Sequence, residues 1–449
     1  MNSRDIEWRR EKLEEKRREL ESGQLNALRE LLPNRIIAQI CKDCQYYFRV
    51  RLLTPLVTIF HMISSAMSRD GSFQSAWHLN GESGKSGALA KARKRLPLCI
   101  WQRLHEWVTN QIDKETTDED RWRGHRMIGV DGTCVSMSDE PKLVEHFGRW
   151  NSKCGYSRFP IARVLVIFNL RTLVTTGYKA SPCKVGETSL LKSLLSGLQR
   201  GDILVGDRHF SGVNLYGEYQ RAGIEFITRA HSCLKIERLK VVEILDEGDL
   251  VVEMQMDPHY LRKDSSLPKS IRVRITKTEA KIRGKKETFW LVTSLLDPCQ
   301  YPAQEIKEWY KKRWKVETLI EELKIWLGAD ILRSKSVEGV YKELYARVIA
   351  LNLVHWLILK AARKHRQNRE RISVSATLRL ATTYSLKMST APGWQPPHLY
   401  DQLLEHVAYS KVPDRTNRIE PRMIKRQKKH YPMLKISRAE WRRIYALAA

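Results

Sequence analysis

Of 449 residues, 79 are Lys or Arg and 51 are Asp or Glu, a formal net charge of +28, while 42% are hydrophobic. That length supports two to four domains, and the hydrophobic share excludes a chain that is mostly disordered. The positive excess calls for a polyanionic partner, of which nucleic acid is the commonest, without saying what is done to it.

The first 30 residues carry eight basic and eight acidic side chains. A secretory leader has a basic start followed by an apolar block, and this segment has neither. Residues 1–115 read as a helical region in which charge-dense segments alternate with apolar ones, a candidate DNA-binding region. Within it Cys41 and Cys44 form one CxxC pair without an evident second pair to complete a zinc site, so burial on a helix is the plainer reading. The eight cysteines, mostly scattered, suit a reducing cytoplasm better than a disulfide framework. Residues 52–67 form an apolar-periodic helix entered through Thr54-Pro55, a helix-start signal. A basic helix follows over 86–96, whose Lys91, Arg93, Lys94 and Arg95 either touch phosphates or form a solvated face. Just before it, Gly81-Glu-Ser-Gly-Lys-Ser86 imitates the end of a phosphate loop. A true loop needs Gly at 79, where Leu stands, and a preceding apolar strand, so ATP binding is not expected.

From residue 116 the character changes to that of a mixed α/β sheet. Residues 127–130 form a short apolar strand ending at Asp131, and 162–169 with 173–179 form a hairpin. Gly186-Glu187 opens a helix, 202–206 is a strand ending at Asp207, and 225–230 is a further strand. Residues 232–300 break the alternation with antiparallel strands and read as an all-β insertion. A long helix over 303–327 closes the α/β core (301–335). Residues 336–449 form a helical region in which the apolar run 348–359, too short to cross a bilayer, reads as a buried helix. Its tail, 411–449, has twelve Lys or Arg against three Asp or Glu. There Arg422, Lys425, Arg426, Lys428 and Lys429 either offer a positive surface for non-specific DNA contact or belong to a disordered, functionally minor tail.

Asp131 and Asp207 stand where apolar strands stop, and an α/β sheet gathers functional groups at the carboxyl ends of its strands. Carboxylates collected there repel unless a divalent cation holds them, and hard oxygen ligands suit Mg²⁺ or Mn²⁺. The plainer alternative is that each is a turn former or a helix cap. On the 303–327 helix, at ~100° per residue, Tyr310, Arg313 and Lys324 project within about 40° of Glu317. One face would then carry a metal-binding carboxylate among phosphate-gripping bases, or else ordinary i, i+4 pairs such as Arg313 with Glu317.

The spacing Tyr310-x2-Arg313-x3-Glu317-x6-Lys324, with Asp131 in Asp-Gly-Thr and Asp207 in Asp-Arg-His-Phe, resembles the signature of the bacterial insertion-sequence-four family of DDE transposases. The likeness spans roughly residues 40–440. It implies a ribonuclease-H-like core with the β insertion between the second Asp and the Glu, flanked by helical regions. It also implies an acidic triad of Asp131, Asp207 and Glu317 that holds two Mg²⁺ ions, and cut-and-paste transposition by a homodimer on two double-stranded DNA ends. A hairpin intermediate, joining to target DNA, and a bacterial, nucleoid-associated location in the cytoplasm belong to the same implication. Tyr310, Arg313 and Lys324 would hold the DNA backbone beside the cleavage site, while Arg208, next to Asp207, either reaches a phosphate or caps the following helix. Trp290 is a candidate stacking platform for a flipped base, with a core tryptophan as the alternative. The rival readings are a metal-dependent nuclease without strand transfer and a DNA-binding protein that has lost catalysis. The intact acids argue against the second.

Overall fold

The structure, a computed structural model, describes residues 31–49, 51–68, 87–152, 155–282, 285–392 and 395–413, with a few isolated positions besides. They fall into two compact units: one of Met1–Val108, Val135–Ile161 and Ile325–Ala449, the other of Thr109–Cys134 and Ala162–Lys324.

The first unit is built on the 28-residue helix Val337–Lys364. Ser336 starts it by accepting the Gly339 N–H, and Arg363 and Lys364 sit in its last turn, where cations oppose the helix dipole. Helices Pro55–Met67, Val374–Thr390 and Pro396–Tyr409 pack around it. The apolar run 348–359 is thus part of a helix long and apolar enough to cross a membrane by length and composition, but 89% of its apolar window is buried inside the protein. Helix Pro55–Met67 begins where expected: the Thr54 hydroxyl accepts the Val57 N–H, Pro55 takes the first turn, and every residue of the helix is buried.

The second unit is organised by a mixed sheet. Its strands are β1 (Met127–Met137), β2 (Ile161–Asn169), β3 (Thr175–Pro182), β4 (Ile203–Gly206), β5 (Glu225–Arg229), β6 (Lys240–Asp246), β7 (Asp249–Gln255), β8 (Ser270–Ile282) and β9 (Lys285–Thr293). Their spatial order is β3-β2-β1-β4-β5-β9-β8-β7-β6. β1, β4 and β5 are parallel neighbours and β2–β3 an antiparallel pair. The first five strands, in spatial order 3-2-1-4-5, are the ribonuclease-H-like core. The insertion continues the same sheet, because β9 pairs antiparallel with β5 at Leu291↔Arg229. One short helix, Pro258–Lys263, stands among its strands, started by Asp257 and a proline in the first turn. Side chains from alternate positions, among them Ile128, Val130, Leu204, Phe226, Val273 and Val292, form a single apolar core with Leu191, Tyr216 and Tyr219. β6 is the outer edge. It meets β7 through register shifts at Val241/Glu243 and Ile244/Asp246, and all its residues but Leu245 are exposed.

Candidate active site

The parallel register puts the first two acids side by side. Gly129 lies opposite Val205, and Gly206 opposite Thr228. Counting on from these pairs places Asp131, Asp207 and Arg229 in one row across β1, β4 and β5. Strand pleating turns this row to the face opposite Ile128, Leu204 and Phe226, away from the apolar core. β1 does not end at Asp131, as the sequence suggested, but runs on to Met137. The crevice opens because the neighbouring β4 stops at Gly206, one residue before Asp207.

Asp131 is half-buried, and its Oδ1 accepts the Gly132 N–H at 2.8 Å. Burial pushes its carboxyl up to about 6; the Gly132 N–H and Arg313 oppose the rise, and the Asp207 and Glu187 carboxylates add to it. Asp207 does cap a helix, its Oδ1 accepting the His209 N–H of the turn Arg208–Phe210 at 2.8 Å. The capping reading is therefore correct, and it leaves Oδ2 without a hydrogen-bond partner among the described residues. Capping and metal holding are compatible roles for one carboxylate.

The 303–327 region is not one α-helix. It consists of Ala303–Lys312 and Lys315–Glu321, followed by a π-turn over Glu322–Trp326. At the break the backbone tightens to i→i+3 bonds: Arg313 N–H to Tyr310 O at 3.0 Å, Val316 N–H to Arg313 O at 2.9 Å and Glu317 N–H to Trp314 O at 3.2 Å. A uniform 100° step therefore does not hold from Tyr310 to Lys324. Tyr310 and Arg313 are buried, Glu317 is exposed and Lys324 half-buried. Tyr310 and Arg313 do reach the aspartates. Burial raises the Tyr310 phenol above its usual range, against the Arg313 and Arg229 guanidiniums, and Asp207 adds to the rise. Glu317 stands one turn on from Arg313, with Oε1 3.7 Å from Nη2. Among the described residues, no three His, Cys, Asp or Glu side chains converge to metal-holding distance. Lys324, on the π-turn, ends the signature.

Three residues that sequence reasoning passed over join the row. Glu187 lies against Gly132, where an added Cβ would fall 2.3 Å from its carboxyl carbon. It is also 3.8 Å from Arg163 Nε and 3.9 Å from His209 Nε2. Arg229 holds Glu287 at 3.1 Å and places its guanidinium 4.3 Å from the centre of the Phe289 ring, which meets Tyr310 edge-on at 5.8 Å. The strand-end argument that picked Asp131 and Asp207 would have found Arg229 at the end of the third parallel strand. Glu187 carried no such signal, since an acid after Gly186 is a common opening of a helix.

The remaining candidates are dispersed. Trp290 is half-buried against the apolar core, on the face of β9 away from the acids, so the core alternative describes it; the aromatic on the acids' face is Phe289. Arg208 is exposed on the turn that Asp207 caps. In helix Gly87–Arg95, Lys91, Lys94 and Arg95 are exposed. Arg93 instead turns inward: burial lowers its pKa, Glu343 raises it and Arg347 lowers it. Cys41 is buried at the end of helix Asn34–Asp43, and Cys44 caps it. The tail residues Arg422, Lys425, Arg426, Lys428 and Lys429, and the segment 81–86, lie outside the described residues.

A family described as "Transposase DDE domain" matches residues 122–353, which hold the row, the broken helix and the insertion. The chain is 23% identical over 352 residues to the transposase InsG for insertion sequence element IS4 of Escherichia coli (strain K12), covering 77% of each protein. It is 24% identical over 141 residues to a putative transposase InsZ of the same organism, covering 30% of this chain and 47% of that one. Among solved structures it is similar to a piggyBac transposase synaptic complex with hairpin DNA, with a TM-score of 0.45, 10% identity and 86% of each chain covered. A family match over residues 122–353, more than half of the chain, leads to one statement: this chain belongs to the DDE transposase family.

Proposed function

We propose that this chain cleaves the ends of a DNA element and joins them to target DNA by metal-dependent phosphoryl transfer, with Asp131, Asp207 and Glu317 as its metal-holding acids. The observation that carries this reading is the aligned pair Asp131 and Asp207, whose negative charge is partly buried beside Glu187. Such a group is relieved by a proton or by a cation, and carboxylate oxygens are the ligands that Mg²⁺ or Mn²⁺ prefer. Two divalent ions, when bound, supply activation of the attacking oxygen and charge relief at the phosphorus. Glu317, exposed on a short helical segment next to an i→i+3 turn, would complete the ligand set as the DNA-bound site closes.

The chain's own residues do the positioning. Arg313 is buried beside Asp131, and its Nε has no hydrogen-bond partner among the described residues. A phosphate oxygen would satisfy that donor. Tyr310, braced by Phe289 and Arg313, offers a hydroxyl on the same face, and Lys324 would hold a second phosphate as a point charge. Cut-and-paste chemistry through a hairpin, two Mg²⁺ ions and a homodimer on paired ends complete the reading, on the strength of the family resemblance.

The test is incubation of the full chain with its element's terminal repeats and Mg²⁺, with products resolved on a denaturing gel. Wild type should yield cut and joined products. Asp131→Asn, Asp207→Asn and Glu317→Gln should each abolish cleavage while leaving end binding within a few-fold of wild type. Cleavage that survives one substitution removes that residue from the triad, and cut products without joined ones would favour a nuclease.

A further inference from the structure

Outside the catalytic unit, the segment that leaves helix Asn34–Asp43 builds a groove that the reaction above does not use. Gln45 takes a left-handed conformation (φ 51) and the Tyr46 N–H bonds back to the Cys41 carbonyl at 2.9 Å, which anchors the start of the segment. Beyond the turn, Tyr46 and Phe48 stack at 5.9 Å with 23° between their planes. Tyr47 is 88% exposed and Phe48 42%. These three rings, with Arg49, Arg51 and Arg95, line a half-open groove of ≈ 510 Å³ in the first unit, and none of its lining residues is acidic. Arg95 lies against the Tyr46 hydroxyl. Neither Arg49 nor Arg51 has an ion-pair partner among the described residues.

Exposed rings beside guanidiniums without an acidic partner fit a ligand that brings both π-faces and negative charge. A nucleic-acid strand brings both. A duplex hides the faces of its bases, so ring stacking selects unpaired nucleotides, while the arginines take phosphates from either form. We infer that this groove holds an unpaired stretch of DNA, with a base against Tyr47 or Phe48 and the backbone along Arg49, Arg51 and Arg95. The inference rests on the reading that the chain acts on DNA and adds a second contact, in the first unit, for strands opened near the element end.

The experiment measures anisotropy of a fluorescein-labelled dT15 strand and of a blunt 15-base-pair duplex with full-length protein in EDTA, over a KCl series. Tyr47→Ala combined with Phe48→Ala should weaken dT15 binding by about 5- to 150-fold, the range for one lost stacking contact, with its salt slope and duplex binding unchanged. Tyr47→Phe should bind as wild type, which separates loss of the ring from misfolding. Arg49→Gln with Arg51→Gln should weaken both DNAs and flatten the dT15 salt slope by about 1.4 for two lost phosphates. A 5-iodouracil strand should photocrosslink within residues 46–51. Wild-type dT15 affinity in the double alanine variant, or crosslinks only elsewhere, overturns the groove; if end cleavage persists, the proposed function still stands. Wild-type protein that neither binds DNA nor cleaves its ends overturns both.

Discussion

Burial holds the Asp131 carboxyl at about 6, against 3.8 for a free aspartate, so above that pH the metal-free protein keeps a partly buried charge at the expense of its stability. The folded state binds this proton more tightly than the unfolded chain. Stability from this group is therefore complete below about 3.8, falls as pH rises towards 6, and stays low above it. An asparagine has no such dependence. Asp131→Asn should raise the Tm of the metal-free protein at pH 8 by an amount equivalent to at most about 3 kcal/mol. The gain should shrink to nothing near pH 4, and a pH-independent difference in calorimetry would contradict the assignment. Divalent cation binding should likewise fail as pH drops through 6. Next to Asp131, Gly132 matters for what it lacks, since a Cβ there would meet the Glu187 carboxyl at 2.3 Å. Gly132→Ala should slow cleavage roughly tenfold or more by shifting the row of acids. Adding Glu187→Ala should recover part of the loss in a double-mutant cycle if crowding is the cause.

Among the elements, the insertion is tied together by one buried charge pair. Arg274 on β8 is fully buried, donates from Nε and Nη2 to Asp249 on β7 at 2.8 and 2.5 Å, and reaches the Tyr301 carbonyl at 2.7 Å. Asp249→Ala would strand that guanidinium and should cost about 3–5 kcal/mol, read as a lower urea midpoint. Because β9 pairs with β5, the loss should also disturb the row at Arg229 and lower cleavage. The strands of the core and the helix start at Thr54-Pro55 were legible in the sequence because each is announced by local signals: apolar runs, turn residues and a capping hydroxyl. The break at Arg313 was not, for the stretch 303–327 contains neither glycine nor proline, and its periodicity is helical. Its break accompanies the burial of Tyr310 and Arg313, which is tertiary. For the same reason Asp-Gly-Thr reads as a turn after Val130, yet β1 runs straight through it, with Val135 and Met137 buried farther along. Asp131 and Asp207 were singled out by strand position, and Glu317 with the signature bases by the family resemblance. Glu187 was hidden because its position depends on a helix starting against the side-chain-free surface of Gly132.

At the scale of the molecule, the net charge is +28. At the acids it is represented by a few guanidiniums, chiefly Arg313 and Arg229. In solution without DNA, most of that charge acts between copies, as mutual repulsion. The outer edge strand gives this repulsion something to restrain. On β6, Val241, Val242 and Ile244 are 48%, 42% and 73% exposed beside a row of backbone donors and acceptors that pair with no strand among the described residues. Its register shifts and Lys240, Glu243 and Asp246 blunt that edge without covering it. Val242→Lys should raise the concentration at which light scattering appears and leave end cleavage unchanged. Concentrated salt, the customary remedy for keeping a basic protein off stray nucleic acid during purification, shortens the Debye length to about 3 Å at 1 M. It would release the DNA and, by the same screening, let these edges meet, so the yield of soluble protein should peak at intermediate ionic strength.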